Sequence, residues 1–420
     1  MSFLYNLIGI IATGLLALAA PFSAKLALFV NGRKKSMALL RNNIAKNDRT
    51  IWIHAASLGE FEQGLPIIEQ LKKDFPLHKL VLSFFSPSGY EVKKNSNVAD
   101  VICYIPLDTK HNASEFIKAV NPELAIFIKY EIWPNYLRML NKQKIPTILV
   151  SALFKKEQIY FKKYGSFMRK ALANFTHFFV QNTDSKTLLN SIGHSNVSIT
   201  GDTRFDRVME ILKRNNNLTF MDTFTKGKFC FVGGSTWPED EELVTAYINQ
   251  SQLPIKFIIA PHTVKASHID SIKKAILKPT ICYSELNNAQ IQDYDVLIID
   301  TIGLLTKIYS YADIAYVGGG FATGLHNTLE PAVFGIPVLI GPHYKGFIEA
   351  ENLVAAKGVL PVHNFKDFKF NVDRFFEDID LRRNTGSINK KFIHQESGAT
   401  DKIMATIHTL LPNNVFKTEG

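Results

Sequence analysis

The sequence predicts an α/β protein built from two doubly wound parallel sheets. From residue 50 onward, short apolar runs alternate with longer amphipathic stretches, which is typical of parallel sheets covered by helices on both faces. The pattern stops at a polar stretch, 213–228, and then starts again. A chain of 420 residues has room for two or three domains of ordinary size.

The predicted strands follow from the apolar runs in order along the chain. They cover 51–55, 79–84, 101–105, 124–129, 146–150 and 178–181 in the first half, and 229–233, 255–260, 280–283, 296–299, 314–318 and 338–341 in the second. In doubly wound sheets, ligands bind beyond the carboxyl ends of the strands. The loops that follow strands are therefore where a site is expected.

The N-terminal segment is strongly apolar. The first 24 residues carry no charged side chain, and the apolar character continues to Val30 with interruptions at Pro21 and Lys25. No basic region precedes it, as a cleaved secretory signal would require, whereas the basic run 33–35 follows it. We therefore expect a retained membrane anchor over 1–32, with the following chain on the cytoplasmic side. A spanning helix, a helix lying in the interface and a buried core helix all remain open.

Charge is distributed unevenly along the chain. Residues 1–205 hold 26 Lys and Arg against 14 Asp and Glu, whereas residues 206–420 hold 22 against 24. The excess predicts an anionic partner for the first half, although a solvated basic surface explains it equally well. With 46% hydrophobic and only 20% charged residues, intrinsic disorder is excluded. Three widely spaced cysteines match no disulfide or zinc pattern and fit a reducing compartment.

Two acidic loops follow predicted strands of the first half. Ser57 and Glu60 have the S-x-x-E spacing of a capping box, which favours a structural role for Glu60 over that of a general base. Glu131 precedes Pro134, which would begin the next helix. Because both loops leave the same edge of a sheet, the two carboxylates form a plausible catalytic pair. Stabilisation of a helix start by Glu131 is equally open.

Glycine loops mark the second half. The acidic run 239–242 after Gly233 and Gly234 would repel a phosphate, so those glycines are expected to allow close approach between domains. The stronger signal is GGGFATGLHNTLEP at 318–331, where Asn327 can cap a helix whose free amides would bind a phosphate. Glu330 could accept hydrogen bonds from ribose hydroxyls. Neither G-x-G-x-x-G nor a P-loop motif occurs, so dinucleotide oxidoreductases and P-loop enzymes fit poorly.

No metal site and no cofactor are predicted. D-x-D occurs at 293–295 and 378–380, but the first precedes a strand and the second lies in a charged helical run. His262 and His268 match no zinc spacing.

Six motifs, in order and covering nearly the whole chain, resemble the Kdo (3-deoxy-D-manno-octulosonic acid) transferases of lipopolysaccharide synthesis. They are A-S-L-G-E at 56–60, Y-E-I-W-P at 130–134, G-D-T-R-F-D at 201–206, G-G-S-T-W at 233–237, A-P-H at 260–262 and H-N-T-L-E-P at 326–331. The resemblance implies a GT-B glycosyltransferase with two Rossmann-like domains facing a cleft. Residues 33–212 would bind the acceptor, the tetraacylated lipid A precursor (lipid IVA), and 226–420 the donor, CMP-Kdo.

The resemblance also implies roles for individual residues. Glu60 would deprotonate the acceptor hydroxyl in a reaction that inverts the anomeric carbon of Kdo, while Glu131 and Arg204 would stabilise the transition state. CMP would be held by Pro261, His262, Ile302, Gly303, Leu304, Asn327, Thr328, Leu329 and Glu330. Many members have arginine where His262 stands. Since the leaving group carries one phosphate, no metal is expected.

The resemblance places the protein at the inner membrane, with its catalytic domains on the cytoplasmic side. The basic segment 155–170 is a candidate for contact with the membrane and the acceptor phosphates, or else a solvated helix face. Two other functions stay open: another nucleotide-sugar enzyme such as a UDP-sugar epimerase, and a catalytically silent membrane-associated binding protein. One or several Kdo transfers would use the same residues. Nucleic-acid binding is not expected, because no recognition module is present.

Overall fold

The computed structural model describes residues 2–287 and 289–411, which form two compact units. The first unit contains the chain up to Arg207 and the segment that begins at Ser397, and the second is Val208–Glu396. The bounds differ from the predicted domains, 33–212 and 226–420. The last helix of the described residues, Ala399–Leu410, lies in the first unit, because its apolar face is buried there.

The strands form two parallel sheets. Those of the first unit are β1 (Arg49–Ala55), β2 (His78–Phe84), β3 (Val101–Tyr104), β4 (Pro122–Ile128), β5 (Thr147–Ala152), β6 (His177–Val180) and β7 (Val197–Ile199). Those of the second unit are β8 (Phe229–Thr236), β9 (Ile255–Pro261), β10 (Thr280–Cys282), β11 (Val296–Ile298), β12 (Ile314–Val317), β13 (Val338–Ile340) and β14 (Val359–Pro361).

Helices connect and cover the strands. They are α1 (Ser2–Ala19), α2 (Ala24–Asn43), α3 (Leu58–Asp74), α4 (Pro87–Lys93), α5 (Lys110–Val120), α6 (Pro134–Lys142), α7 (Ser166–Leu172), α8 (Thr183–Ser191), α9 (Thr203–Lys213), α10 (Thr219–Thr225), α11 (Pro238–Gln250), α12 (Ala266–Ala275), α13 (Leu305–Ile308), α14 (Leu329–Ala332), α15 (Ile348–Ala355), α16 (Phe365–Glu377), α17 (Ile379–Glu396) and α18 (Ala399–Leu410).

The strand order confirms the predicted fold class of two doubly wound domains. The first sheet has the order β3-β2-β1-β4-β5-β6-β7 and the second β10-β11-β9-β8-β12-β13-β14. In each sheet successive strands are added first toward one edge and then toward the other. The change occurs between two neighbouring strands, β1 and β4 in the first sheet and β8 and β12 in the second. The carboxyl ends of strands at such a switch point form the usual ligand crevice of these sheets.

The core of the first unit explains why its last helix returns to it. Successive residues of β1 point to opposite faces of the sheet. Trp52 packs on one face, whereas Ile51 and Ile53 pack on the other. The second cluster also contains Ile403 and Ile407 of α18, both fully buried. The helix thus covers one face of the first sheet, against α3.

Helix α1 is held against the first unit by polar contacts near its start. The Tyr5 hydroxyl donates to Oδ2 of Asp108 at 2.8 Å, and Oδ1 of Asn6 accepts from the backbone N–H of Lys110 at 2.8 Å. Burial raises the pKa of Asp108 to about 6. The stretch Ser2–Phe22 is long and apolar enough to cross a membrane, with a mean hydropathy of 2.0. Only 11% of its most apolar 18-residue window is buried, which argues against the core-helix alternative.

The side of α1 that faces outward is apolar. Its exposed large side chains, continued by Phe22 just beyond it, are Phe3, Leu4, Leu7, Ile8, Ile10, Ile11, Leu15 and Leu18. Helix α2 begins at the Ser23 cap and runs to Asn43, with Leu40 fully buried. The predicted anchor boundary at residue 32 therefore falls inside a helix that packs on the core.

Arg33 is a structural residue, although the sequence places it in a basic run at the membrane. Its guanidinium donates to the carbonyls of Phe29 at 2.9 Å and Phe85 at 2.6 Å. It also lies 3.4 Å from the centre of the Phe29 ring. Burial lowers its pKa to about 10. Of the three basic residues of the run, only Lys34 and Lys35 are exposed.

Candidate active site

Glu60 and Glu131 both follow strands of the switch point in the first sheet. Glu60 lies in the first turn of α3, directly after β1, and Glu131 lies between β4 and α6. Strands β1 and β4 pair in parallel, with Ile53 opposite Ile126. The two loops therefore leave the same edge of the sheet, as predicted, and Pro134 begins α6.

The capping box predicted from Ser57 and Glu60 does not form. Ser57 occupies the N-cap position of α3, but its side chain accepts no hydrogen bond from the helix amides. Its hydroxyl instead donates to Oε2 of Glu60. The same spacing thus serves a different contact, in which the serine orients the carboxylate rather than the helix.

Glu131 is anchored through one oxygen. Oε2 accepts from the indole N–H of Trp133 at 2.8 Å and lies 3.0 Å from Nε2 of His54, whose ring is fully buried. The carboxylate is mostly buried, with 12% of the side chain exposed. Burial raises the pKa of Tyr160 to about 12, and the charge of Glu131 contributes, so this phenol lies near the carboxylate.

His54 continues into a chain of buried polar groups. Its Nδ1 lies 2.8 Å from Oγ of Ser83, and that oxygen accepts from the indole N–H of Trp52 at 2.8 Å. The backbone carbonyl of Ser83 lies 3.1 Å from the same Nδ1. All three side chains are fully buried. His54 was not predicted from the sequence, although a histidine inside an otherwise apolar strand is a usable signal.

Arg204 lies in the first turn of α9 and is fixed by Asp202. Oδ2 of Asp202 accepts from Nε at 2.9 Å and from a terminal guanidinium nitrogen at 2.8 Å, while Gln63 of α3 donates to Oδ1 at 3.0 Å. Asp202 is buried, and it was not singled out from the sequence.

The Tyr130 hydroxyl lies near both Arg204 and Glu60. Burial raises its pKa, the charge of Arg204 lowers it and that of Glu60 raises it. The phenol is therefore within electrostatic range of both residues. The first unit thus gathers two carboxylates and a guanidinium at one sheet edge.

In the second unit, the loops after β8 and β12 contact each other closely. The N–H of Gly318 donates to the carbonyl of Gly234 at 3.0 Å. A Cβ at Gly318 would lie 2.4 Å from the carbonyl oxygen of Ser235 and 2.7 Å from Oδ2 of Asp240, so only glycine fits. These glycines were expected to allow approach between domains, and the contact described here lies within the second unit.

Asp240 ties these two loops together. Oδ2 accepts from the backbone N–H groups of Gly319 at 2.8 Å and Trp237 at 2.9 Å, and Oδ1 accepts from the Tyr316 hydroxyl at 2.5 Å. Burial raises the pKa of this carboxyl. One acidic residue of the 239–242 run therefore binds the amides of the glycine loop itself.

Three rings are stacked beside these loops. The ring centres of Trp237 and His262 lie 4.6 Å apart, and those of His262 and His326 lie 4.7 Å apart. The Trp237 indole donates to Nε2 of His326 at 2.9 Å, which places the proton of a neutral His326 ring on Nδ1. Burial, with a smaller contribution from His262, lowers the pKa of His326.

Four other predicted donor residues lie at the ends of two strands of this unit. Pro261 ends β9 and is buried, whereas Ile302 is 85% exposed. Gly303 has a φ of +99°, and Leu304 precedes α13. These positions follow β9 and β11, which are neighbours in the sheet.

The helix predicted after the glycine loop is the single turn α14. Oδ1 of Asn327 accepts from the N–H of Leu329 at 3.1 Å, and its amide donates to Oε1 of Glu330 at 3.2 Å. The Thr328 hydroxyl is buried and has no hydrogen-bond partner within the described residues. One turn has little dipole, so phosphate binding here depends on individual N–H groups and side chains rather than on a helix end.

The basic segment 155–170 is partly structural. Arg169 donates to the carbonyls of Tyr160 at 3.0 Å and Lys162 at 2.7 Å, so it stabilises its own loop. In residues 2–287 and 289–411, no group of three or more His, Cys, Asp or Glu side chains is arranged to hold a metal ion.

Sequence comparisons find similar proteins of known family. Residues 31–207 match the family model described as 3-deoxy-D-manno-octulosonic-acid transferase (kdotransferase). The chain is 26% identical over 387 residues to the 3-deoxy-D-manno-octulosonic acid transferase of Haemophilus influenzae, covering 87% of this chain and 88% of the relative. It is 29% identical over 312 residues to that of Aquifex aeolicus, covering 72% and 80%.

Solved structures support the fold. The UDP-GlcNAc 2-epimerase of Neisseria meningitidis matches with a TM-score of 0.59 at 16% identity, covering 86% of this chain and all of the epimerase. At that identity the likeness concerns the fold alone. Two parallel doubly wound sheets in this strand order, together with such neighbours, identify a GT-B fold.

Proposed function

We propose, from the premise that this chain belongs to the Kdo transferase family, that it transfers Kdo from CMP-Kdo to a tetraacylated lipid A precursor. This proposal is carried by the charged residues that meet at one edge of the first sheet. Glu60 and Glu131 follow the two strands of the switch point there, and Arg204 is fixed by Asp202 near Tyr130.

Glu60 is proposed as the general base. The hydroxyl of Ser57 orients its carboxylate, and Gly59 behind it adds no side chain. A base in this position takes the proton from the acceptor hydroxyl as that oxygen attacks the anomeric carbon of Kdo. Attack on the face opposite the departing CMP inverts the configuration.

Arg204 and Glu131 are proposed to stabilise the transition state. The reaction gathers the carboxylate of Kdo and the phosphate of CMP around the breaking bond, and a fixed guanidinium offsets that negative charge. Because Asp202 pins Arg204 through two nitrogens, the guanidinium need not reorganise during the reaction. Glu131, held through Oε2, has Oε1 left to meet positive charge that develops on the sugar ring.

The donor is proposed to bind the second unit. The buried Thr328 hydroxyl, the Asn327–Glu330 pair and the His262 ring are groups that suit a phosphate and a ribose. Leu329 is itself buried, and its N–H holds Asn327 Oδ1, so its part would be to position the Asn327 side chain. The leaving group carries one phosphate, and we expect turnover to persist in EDTA for that reason.

The protein is proposed to act at the inner face of the cytoplasmic membrane. The outward face of α1 is apolar, while Tyr5 and Asn6 near its start are bound to the first unit. A helix of 18 residues is about 27 Å long. Since its start and the following helix α2 both contact the same unit, the observations favour a helix lying in the interface over a spanning one.

The test is product analysis with purified full-length protein. CMP-Kdo and the lipid A precursor are supplied, and products are identified by mass spectrometry, which also counts the Kdo units added. Glu60→Gln is expected to lower turnover by about 10²–10⁴-fold. Glu69→Gln, on the same helix, is the matched control and should retain activity. Wild-type turnover by Glu60→Gln would remove Glu60 as base, and consumption of a UDP-sugar instead of CMP-Kdo would favour an epimerase.

A further inference from the structure

The polar chain beneath Glu131 ends at a carboxylate oxygen that only accepts, so Nε2 of His54 must donate to it. The indole of Trp52 is a donor only, so Oγ of Ser83 must accept from it. The single hydroxyl hydrogen of Ser83 is then available for Nδ1 of His54, 2.8 Å away. The Ser83 carbonyl, 3.1 Å from Nδ1, is the competing partner and would accept from a protonated Nδ1. A neutral His54 whose Nδ1 accepts carries its proton on Nε2. That proton points at Oε2 of Glu131, 3.0 Å away.

These contacts place four polar groups on three neighbouring strands. Trp52 and His54 belong to β1, Ser83 to β2, and Glu131 follows β4. An unpaired polar group in a buried sheet is strongly destabilising. Each of these groups has a hydrogen-bond partner, so that cost is avoided. Phe127 and Trp133 pack edge-on against the His54 ring, with centres 5.8 and 6.2 Å away, and hold its plane.

We propose that His54 is a positioning residue for Glu131, with its tautomer set by Ser83 and Trp52. By donating from Nε2 beside the Trp133 N–H, it saturates Oε2 of the carboxylate and leaves Oε1 to the reaction. A hydrogen bond to a charged group is shorter and stronger than a neutral one, so the orientation is firmly held. The catalytic consequence rests on the role of Glu131 under the proposed function, whereas the tautomer does not.

Two substitutions separate the two sides of the ring. The side-chain amide of His54→Gln reaches the position of Nε2 and can still donate to Glu131. His54→Asn reaches only the position of Nδ1, so it keeps the Ser83 side and loses Glu131. We expect kcat of His54→Asn to fall about 10- to 100-fold, the size of a lost hydrogen bond to a charged group. KM for both substrates should stay within about twofold, and His54→Gln should recover most of kcat.

A purely structural role for His54 would give a different pattern. His54→Asn and His54→Gln would then lose activity together, in step with a lower Tm or a raised KM, and that result overturns the proposal. Wild-type kcat for His54→Asn overturns it as well. If Glu131→Gln itself turns over at the wild-type rate, the role of Glu131 in the proposed function has failed instead.

The tautomer is measured without any assay of activity. The full-length protein, which has 12 histidines, is labelled with 15N at histidine, and the His54 signals are assigned by their absence from His54→Gln. We expect a protonated Nε2 and an unprotonated Nδ1 at neutral pH. In Ser83→Ala, Nδ1 should take the proton and donate to the backbone carbonyl of residue 83. A protonated Nδ1 in the wild-type protein overturns the proposed direction.

Discussion

The hydroxyl of Ser57 donates to the carboxylate of Glu60 and leaves the first amides of α3 without a side-chain cap. Removal of a true N-cap serine costs about 1 kcal/mol of stability. Because no cap is lost here, we expect Ser57→Ala to unfold in urea within about 0.5 kcal/mol of the wild-type protein. Its kcat should fall, but less than that of Glu60→Gln. A large loss of stability with unchanged kcat would restore the capping interpretation.

We expect catalysis to depend on the geometry of the hydrogen bonds between Asp202 and Arg204. Lysine cannot reproduce the two guanidinium bonds to Asp202, so we expect Arg204→Lys to lower kcat by about 10²-fold or more. Asp202→Asn keeps the Arg204 charge but loosens it, and it should have a smaller effect on kcat and a lower Tm because Asp202 is buried. Steady-state kinetics and thermal unfolding of both variants check this. Lys213→Arg, at the far end of α9, is the control.

Acid should destabilise the second unit through His326. Burial lowers the pKa of this ring below the ordinary value of 6.5 that it regains on unfolding. Between the two values the unfolded chain binds more protons, so stability rises with pH and is lost as the pH falls through this window. We expect His326→Gln to flatten that dependence. Urea unfolding between about pH 5 and pH 8 measures this dependence. If the free energy of unfolding changed equally with pH in both proteins, His326 would not be its source.

The outward face of α1 should carry membrane binding. We expect Ile8→Ser, Ile11→Ser and Leu15→Ser together to weaken binding to anionic vesicles by more than about 100-fold, since each removes a side chain otherwise buried in lipid. The Tm should change little because these residues are exposed. The matched control replaces three exposed apolar side chains elsewhere, Leu77, Leu277 and Phe370, with Ser. Binding is measured by flotation of the protein with the vesicles. An equal loss in both triple variants would mean that the α1 surface is not specifically responsible for membrane binding.

The sheets were largely predictable because buried parallel strands are continuous apolar runs. All twelve predicted strands exist, with bounds that shift by a few residues. The two missed strands, β7 and β14, are three residues long and lie at the edges of their sheets. Such short pieces carry no periodicity, and β14 also contains Pro361, which weakens a strand prediction.

The candidate site was only partly predictable. Glu60, Glu131 and Arg204 stand in recognisable motifs, but the groups that orient them are distant in sequence. His54 lies 29 residues from Ser83 and 77 from Glu131, and only the pairing of β1 with β2 and β4 brings them together. The S-x-x-E spacing was misleading for a simpler reason. Rotation of one serine side chain decides between a cap and a carboxylate contact, and spacing does not determine that rotation.

The location of α18 has a consequence for biosynthesis. Its residues Ile403 and Ile407 complete the core of the first unit, yet they are translated after the whole second unit. During synthesis the apolar face of α3 and its sheet therefore remain uncovered while some 190 further residues are made. The unit that starts first on the ribosome is the one that finishes last, and a chain that terminates before Ser397 would carry one completed core instead of two.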